Sequence, residues 1–261
     1  MITGWLIFAL SGFAMAATVP MLDIGGRPMA NLMLNGKGPY QFIVDTGAES
    51  TLIDSGLAAE LGLGSGNTIR EARLGRAVLK GLNVAPVPMS QMFPQADAPK
   101  GVLSAASFPG YLLILDYPQK RITIRKGALP AADNRTIFEY AADEKLPMVP
   151  IRIAGHDTAV DLDSGSPLGL TLPVKFLKQL PLASEPKEVG RARTQAGEYP
   201  ISSAQVAGEI ELGQYRLESS QVRFSDVAPG PEPPHGNIGA QVLRDFKVTF
   251  DAKNRRIKLN K

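Results

Sequence analysis

The sequence predicts an all-β chain built from two similar lobes. Three observations lead to this prediction: turn residues are abundant, a strand-and-turn motif occurs twice, and one hairpin sequence closes both halves. The 261 residues include 26 glycines and 21 prolines, which favours many short strands over long helices. A chain of this length can form one large all-β domain or two smaller ones, and either can bury a core.

The strand-and-turn motif is an apolar, β-branched run that ends in aspartate, followed by a hydroxyl residue, glycine and a small residue. It occurs once in each half of the chain, within residues 42–53 and 159–170. An apolar strand that carries an aspartate into a glycine turn solvates the carboxylate poorly but holds it rigidly. We therefore expect Asp45 and Asp163, the aspartates of the two copies, at the floor of a cleft.

The hairpin that closes each half is the second sign of a repeat. Residues 113–124 align without gaps with residues 248–259, at an offset of 135 residues. The aspartates of the two motifs are 118 residues apart, so the second half has an insertion between its motif and its hairpin. Two similar halves imply a pseudo-twofold molecule, and such symmetry brings equivalent groups together at the axis.

Turn residues mark the other elements of the first half. A Gly25-Gly26 turn separates two short strands, and Asn-Gly-Lys-Gly at residues 35–38 predicts the hairpin turn that leads into the Asp45 strand. Asp54 is placed to cap a short helix over residues 55–61. Strands are expected to fill the rest of this half.

The second half repeats this order with one longer hairpin. Strands over residues 147–153 and 158–162 lead to the second aspartate, and a short helix is expected over residues 173–180. Residues 189–223 are rich in strand-forming residues and include a long polar hairpin around residues 195–199.

Small and polar residues interrupt the strand pattern between the halves. We therefore predict a first lobe over residues 17–129, a linker over residues 130–143 and a second lobe over residues 144–261.

The amino-terminal segment, residues 1–16, is predicted to be a signal peptide. It is apolar from Trp5 onward, too short to span a bilayer comfortably, and ends in Ala-Met-Ala before Ala17. Export to the periplasm or beyond is therefore expected, with no membrane span in the mature chain. A retained anchor and the buried first element of a cytosolic protein are the alternatives, because residues 1–4 include no Lys or Arg.

Composition excludes several function classes. The formal net charge is +3 and the basic residues are scattered, so nucleic acid is not an expected partner. The chain has no cysteine, which excludes disulfides, a thiol nucleophile and zinc sites that use cysteine. The two histidines, His156 and His235, are expected on the surface and form no metal site.

The two motifs and their downstream segments resemble the pepsin/retropepsin superfamily of aspartic proteases, most closely its bacterial single-chain members. The resemblance covers roughly residues 19–259. Each motif is followed by an apolar segment and by the closing hairpin. The segments are Leu103-Ser104 and Ile238-Gly239. The resemblance implies a two-lobed acid-protease (pepsin-like) fold, in which each lobe is a small closed β-barrel with one or two short helices.

The resemblance also implies roles for the motif residues. Asp45 and Asp163 would form a catalytic dyad that activates water for peptide-bond hydrolysis, without a cofactor. Three pairs would support the dyad: the hydroxyl residues would cross-link the two loops, the glycines would let backbone approach the carboxylates, and the small residues would lie beside the outer oxygens. These pairs are Thr46 and Ser164, Gly47 and Gly165, and Ala48 and Ser166. Because serine can hydrogen-bond a carboxylate and alanine cannot, the two aspartates are not equivalent.

The implied partner is a peptide or protein bound in extended form by strand addition. A monomer is expected, because one chain carries both motifs and needs no retroviral type of dimer. The long hairpin of the second half is expected to cover the substrate, with Tyr199 and Gly197 as contacts. Asp161 is expected on the opposite strand face from Asp163, in solvent.

Ser104 departs from the family pattern, which has glycine at this position. This leaves two hypotheses: an active endopeptidase, or an inactive, protease-derived protein that binds peptides or acts as a scaffold in the cell envelope.

Overall fold

A computed structural model describes residues 16–94, 98–194, 197–226 and 235–261. Apart from Ala16, the predicted signal peptide lies outside these residues, as does the tip of the long hairpin. Within the described part of the chain, no helix is both long and apolar enough to cross a membrane.

Short strands separated by turns make up most of the first half, as the glycine and proline content predicts. The strands described up to residue 126 are β1 (Ala17–Pro20), β2 (Leu22–Ile24), β3 (Arg27–Leu34), β4 (Lys37–Asp45), β5 (Leu52–Asp54), β6 (Thr68–Leu74), β7 (Ala77–Asn83), β8 (Ala85–Val87), β9 (Gly101–Ser104), β10 (Tyr111–Asp116) and β11 (Arg121–Lys126). The helical segments are α1 (Ser55–Glu60), α2 (Met89–Met92) and a 3₁₀ turn (Ala105–Ser107). Asp54 caps α1 as predicted, because its Oδ1 accepts the amides of Gly56 and Leu57.

The second half is again built from short strands. They are β12 (Ile137–Glu139), β13 (Met148–Ile153), β14 (His156–Leu162), β15 (Leu170–Leu172), β16 (Lys187–Thr194), β17 (Gly197–Gln205), β18 (Ile210–Leu212), β19 (Tyr215–Arg216), β20 (Gln221–Phe224), β21 (Gly236–Ile238), β22 (Lys247–Asp251) and β23 (Arg256–Asn260). The helical segments are a 3₁₀ turn (Val174–Lys178) and α3 (Ala240–Leu243).

Each half folds into its own curled sheet, which confirms the all-β, two-lobed prediction. The first sheet has eight strands, in the order β7-β6-β3-β4-β9-β5-β8 with β2 beside β3. The second has nine, in the order β16-β17-β20-β15-β21-β14-β13-β18-β19. In both, the strand that leads to the motif aspartate lies inside the sheet, between its hairpin partner and a parallel strand: β9 beside β4, and β21 beside β14.

A third sheet of six strands, in the order β1-β11-β10-β22-β23-β12, joins the lobes. It contains both closing hairpins, and β10 pairs antiparallel with β22. Ile114 lies opposite Thr249 in this pairing, and the two residues are also equivalent in the sequence alignment. The pseudo-twofold axis therefore passes between them, as the repeat predicts.

The motif strands are anchored by the apolar cores of the lobes. Phe42 and Val44 of β4 are fully buried, as are Val160 and Leu162 of β14. Complete burial of one such side chain stabilises the fold by roughly 1.5–3 kcal/mol. The backbone that delivers each aspartate is therefore held rigidly.

The predicted linker contains the short strand β12, which pairs with β23. Asp133 precedes it and accepts the amides of Arg135, Thr136 and Ile137. The lobe boundaries themselves stay a prediction.

Candidate active site

Asp45 and Asp163 meet where the two lobes face each other. Asp45 is the last residue of β4, and Asp163 directly follows β14. Their carboxyl groups lie close together, since each packs against the glycine of the opposite loop. Both residues keep part of their surface exposed, so the pair is accessible from outside.

Thr46 and Ser164 lock the two aspartate loops together. The Thr46 amide donates to Ser164 Oγ at 3.0 Å, and the Ser164 amide donates to Thr46 Oγ1 at 3.0 Å. Each hydroxyl also donates across the axis: Ser164 Oγ to the carbonyl of Val44 at 2.7 Å, and Thr46 Oγ1 to that of Leu162. Both residues are buried, so these bonds are shielded from water.

Gly47 and Gly165 each approach the aspartate of the opposite loop closely. A Cβ on Gly47 would lie 2.6 Å from Asp163 Cγ, and one on Gly165 would lie 2.6 Å from Asp45 Oδ1. Real Cβ atoms do not come this close, so any larger residue would displace a carboxyl group.

The two carboxyl groups have different hydrogen-bond donors. The Gly47 amide donates to Asp45 Oδ1 at 2.8 Å, whereas the Ser166 amide donates to Asp163 Oδ1 at 2.9 Å. The amide side chain of Asn237 donates to Asp163 Oδ2 at 3.2 Å. The two aspartates are therefore not equivalent, as predicted. The prediction relied on the serine hydroxyl, whereas the donors to Asp163 are the backbone amide of Ser166 and the side chain of Asn237.

Electrostatics favour a proton on the pair. Burial raises the pKa of Asp45, against the lowering effects of the Gly47 amide and the bond with Asp163. Burial raises the pKa of Asp163 well above its usual range, and the charge of Asp45 raises it further. Two carboxyl groups in contact cannot both ionise readily, so one keeps its proton.

Comparison with known proteins adds one match. Residues 30–103, which contain Asp45 and most of the first lobe, match the family model described as aspartyl protease. This match supports assignment to the aspartic protease superfamily. A search of curated proteins gave no match. The match supports an aspartic protease function in general terms, and the paired aspartates of the two lobes are the candidate centre.

One prediction about the surroundings of the aspartate pair was wrong. Asp161 is buried, with 3% of its surface exposed, and does not face solvent. Alternate residues of a strand project from the same face, so Asp161 lies on the face of Asp163. His235, expected on the surface, is half-buried, with Nε2 3.8 Å from Asp161 Oδ2.

Ser104, at the position where the resemblance to aspartic proteases predicts glycine, is hydrogen-bonded within the loop. Its hydroxyl donates to the carbonyl of Ala48 at 2.6 Å and accepts the Ala106 amide at 3.1 Å. In the second lobe the equivalent Gly239 has no room for a side chain, because a Cβ would lie 2.5 Å from the carbonyl oxygen of Leu168 and 2.7 Å from that of Ser166. A serine therefore occurs at different positions in the two lobes. In the first lobe it is Ser104, opposite Ala48, and in the second it is Ser166, opposite Gly239.

Sequence reasoning missed two residues at this site. Arg27 begins β3, and its Nε donates to the carbonyl of Gly165 at 2.7 Å, which ties the first lobe to the second aspartate loop. Burial lowers the pKa of Arg27, although Asp163 and Asp45 oppose this shift. Asn237 directly precedes the apolar segment Ile238-Gly239, but nothing in the neighbouring sequence indicates that its side chain donates to Asp163.

The long hairpin of the second lobe is formed by β16 and β17, which have eight and nine residues. Tyr199 is half-buried on β17 opposite Ala192, and Gly197 begins that strand. The first lobe has a shorter hairpin, β6 and β7, with seven residues in each strand. Substrate contact by Tyr199 and Gly197 stays a prediction.

Proposed function

We propose that the protein is an aspartic endopeptidase that hydrolyses peptide bonds with a water molecule activated by Asp45 and Asp163. One observation carries the proposal: two aspartates that are 118 residues apart in the sequence lie side by side, each packed against the glycine of the other's loop. The reciprocal Thr46–Ser164 bonds support it, because they fix the spacing of the two loops.

The proposed reaction uses the single proton of the pair. The ionised carboxylate takes a proton from water, whose oxygen attacks the peptide carbonyl carbon. The protonated carboxyl group donates a hydrogen bond to the carbonyl oxygen as negative charge develops there. When the tetrahedral intermediate breaks, the initially protonated carboxyl group passes its proton to the leaving nitrogen as the carbon–nitrogen bond breaks, and the pair keeps the single proton that it took from water. The pair titrates as a unit, so neither aspartate is assigned permanently as the acid.

The supporting residues have positioning roles in this proposal. Thr46 and Ser164 hold the loops in register, and Gly47 and Gly165 leave room for the carboxyl groups. No cofactor takes part in the proposed steps. The substrate would lie extended along the cleft, and one chain would supply the complete site, so the protein would act as a monomer.

A cleavage assay with matched variants tests the proposal. The purified chain would be incubated with a mixed peptide library from about pH 3 to 8, with and without a statine-type transition-state mimic. We expect inhibitable cleavage that falls by roughly 10²–10⁴-fold in Asp45→Asn and in Asp163→Asn. The control is Asp157→Asn, which removes an exposed aspartate of β14 and should leave cleavage unchanged.

The same assay tests the competing hypothesis of an inactive, protease-derived protein. Peptides that the wild-type chain retains but does not cleave would indicate a protease-derived binding or scaffolding protein, and would overturn the enzymatic proposal.

We also propose that the protein is exported after removal of its apolar amino-terminal segment. The Ala-Met-Ala sequence before Ala17 supports this proposal. Amino-terminal sequencing of the protein recovered from its native compartment tests it, and an intact Met1 on an intracellular protein would contradict it.

A further inference from the structure

Asp161 and Asn237 lie side by side on the sheet of the second lobe. They are register partners in the parallel strands β14 and β21, and residues directly opposite each other in neighbouring strands share a face. Asp161 is buried, and the proposed reaction does not use it. The amide side chain of Asn237 donates to Asp163 Oδ2 at 3.2 Å, so Asn237 connects Asp161 with the aspartate pair.

Two buried oxygens on these neighbouring side chains have no donor. Asp161 Oδ1 and Asn237 Oδ1 have no hydrogen-bond partner among the described residues. Adjacent strands are about 4.8 Å apart, so the ends of side chains that lie opposite each other can come within hydrogen-bond reach. Two acceptors cannot bond to each other, whereas a proton on Asp161 would make its Oδ1 a donor and satisfy both oxygens at once.

The surroundings of Asp161 favour its protonated form. Burial raises the pKa of Asp161, against the lowering effect of His235, whose Nε2 lies 3.8 Å from Asp161 Oδ2. The charges of Asp45 and Asp163 are close enough to interact with Asp161, and a third negative charge beside them is unfavourable. Met148, the register partner of Asp161 on β13, is apolar and brings no charge.

The other polar side chains of this row do not supply the missing donor. Thr171 of β15 lies opposite Asn237 on its other side, and its hydroxyl oxygen is also buried without a partner among the described residues. Arg223 of β20 lies beyond Thr171, and its Nη1 donates to Gln241. The carboxyl group of Asp161 is therefore the group beside Asn237 that can provide a proton.

The first lobe has apolar residues at the equivalent positions. Ile43 precedes Asp45 by two residues, as Asp161 precedes Asp163, and its register partner on the parallel strand β9 is Val102. Both are buried in an apolar cluster. Neither side chain can donate to a carboxylate, so this contact makes the surroundings of the two aspartates different.

We propose that Asp161 is a positioning residue for the aspartate pair, which carries a proton on Oδ1 and donates it to Asn237 Oδ1. This bond holds the Asn237 amide with its NH₂ group toward Asp163 Oδ2. An ionised Asp161 can only accept, so it would attract the NH₂ group and turn the amide oxygen toward Asp163. The hydrogen bonding of Asp163 therefore depends on the proton of Asp161. The effect on catalysis rests on the proposed endopeptidase function.

Carbon-13 NMR of the aspartate carboxyl groups tests the protonation in the wild-type chain. After sequential assignment, we expect the Asp161 carboxyl group to be protonated at about pH 5, where an ordinary aspartate is ionised. Asp157, whose pKa is lowered by Arg152, is the ionised reference. The side-chain amide signals of Asn237 should shift as Asp161 titrates. An ionised Asp161 at this pH, or Asn237 signals that stay constant through its titration, overturns the inference.

Matched variants test the positioning role. Asp161→Asn still offers an N–H to Asn237, whereas Asp161→Leu has a similar size and no donor. We therefore expect kcat for peptide cleavage to be about tenfold or more lower in Asp161→Leu than in Asp161→Asn, with a smaller change in KM. The control Asp157→Asn should keep the wild-type kcat. Equal kcat values in the two variants of Asp161 overturn the role.

A double variant tests whether Asp161 acts through Asn237. Asn237→Leu should lower kcat by a similar factor, and the double variant with Asp161→Leu should lose no more than the slower single variant. Losses that multiply would mean that Asp161 acts by another route, which overturns the inference.

The measurements separate this inference from the endopeptidase proposal. If the wild-type chain cleaves nothing, the endopeptidase proposal fails, and the NMR titration alone decides whether Asp161 donates to Asn237. If the chain cleaves peptides while Asp161 is ionised at about pH 5, only this inference is overturned. The titration uses the wild-type chain, so it decides the matter even if Asp161→Leu does not fold.

Discussion

Thr46 and Ser164 exchange hydrogen bonds across the two lobes, since the amide of each residue donates to the hydroxyl oxygen of the other at 3.0 Å. This reciprocal contact lies directly beneath the paired aspartates and is buried. It links the loops that follow β4 and β14, strands of two separate sheets, so both the relative position of the lobes and the spacing of the carboxyl groups depend on it.

Removal of one hydroxyl from this contact should weaken the whole molecule. Ser164→Ala leaves the Thr46 amide and the Val44 carbonyl without partners, and should lower the free energy of unfolding by about 1–3 kcal/mol. Urea unfolding measures this loss. The matched control is Thr18→Val, which breaks the exposed hydroxyl pair of Thr18 and Thr123 at 2.8 Å and should change stability by no more than about 0.5 kcal/mol. Similar losses in both variants would contradict a special role for the buried contact.

Gly165→Ala should abolish peptide cleavage while leaving a folded protein. The new methyl group would displace the Asp45 carboxyl group, because a Cβ there lies 2.6 Å from Asp45 Oδ1. The expected loss in kcat/KM is about 10²-fold or more, as for other misplaced catalytic groups. Gly64→Ala is the control, since nothing lies within 4 Å of its Cβ position. Wild-type turnover by Gly165→Ala would show that the carboxyl groups need not occupy these positions.

Stability should depend on pH through Asp163. Burial raises the pKa of Asp163 in the folded protein. The folded protein therefore keeps this proton to higher pH than the unfolded chain does, and the free energy of unfolding falls as pH rises through this window. Asparagine does not titrate, so Asp163→Asn should be more stable than wild type at about pH 7, with a difference that shrinks toward about pH 3. Urea unfolding across this range measures the difference.

Asp157 supplies the control of opposite sign. A hydrogen bond from Arg152 lowers the pKa of Asp157, so its contribution to stability is present above the ordinary aspartate range and lost as pH falls. Asp157→Asn should therefore be the less stable protein at neutral pH, by a small amount because the pair is exposed. A stability difference for Asp163→Asn that stays constant with pH would rule out the linkage.

Ser104→Gly should destabilise the first lobe although it restores the family's usual residue. The variant loses the hydrogen bond to the Ala48 carbonyl and gains backbone freedom, at a cost of about 1–2 kcal/mol in the free energy of unfolding. The reciprocal change, Gly239→Ser, should be still more harmful, because the backbone carbonyls of Leu168 and Ser166 occupy the space. Thermal melting of both variants checks the order. A stabilised Ser104→Gly would mean that the serine strains the loop.

Shortening of the β16–β17 hairpin should abolish peptide cleavage if this hairpin covers the substrate. The prediction is specific to the second lobe, so the control shortens the β6–β7 turn at Gly75 and Arg76. Cleavage rates of the two variants on one peptide compare the hairpins. Loss of cleavage only in the β6–β7 variant would assign the cover to the first lobe.

Much of the fold could be predicted from the sequence because its causes are local. Alternating apolar residues and glycine turns indicate short strands wherever they occur, and Asp54 caps α1 because its side chain reaches amides two and three residues away. The repeat of residues 113–124 in residues 248–259 predicted a pseudo-twofold molecule, and the pairing of Ile114 with Thr249 agrees with it.

The surroundings of the aspartates were decided by tertiary structure. The contact of Arg27 with Gly165 and the donation from Asn237 to Asp163 join residues that are far apart in the sequence. The face of Asp161 follows from strand periodicity and was misassigned, whereas its burial depends on the pairing of β14 with β21. Local pattern determines which segments become strands and where the acids end them. Only the register between strands and the packing of one lobe on the other decide which side chains share a face, and therefore which charges meet.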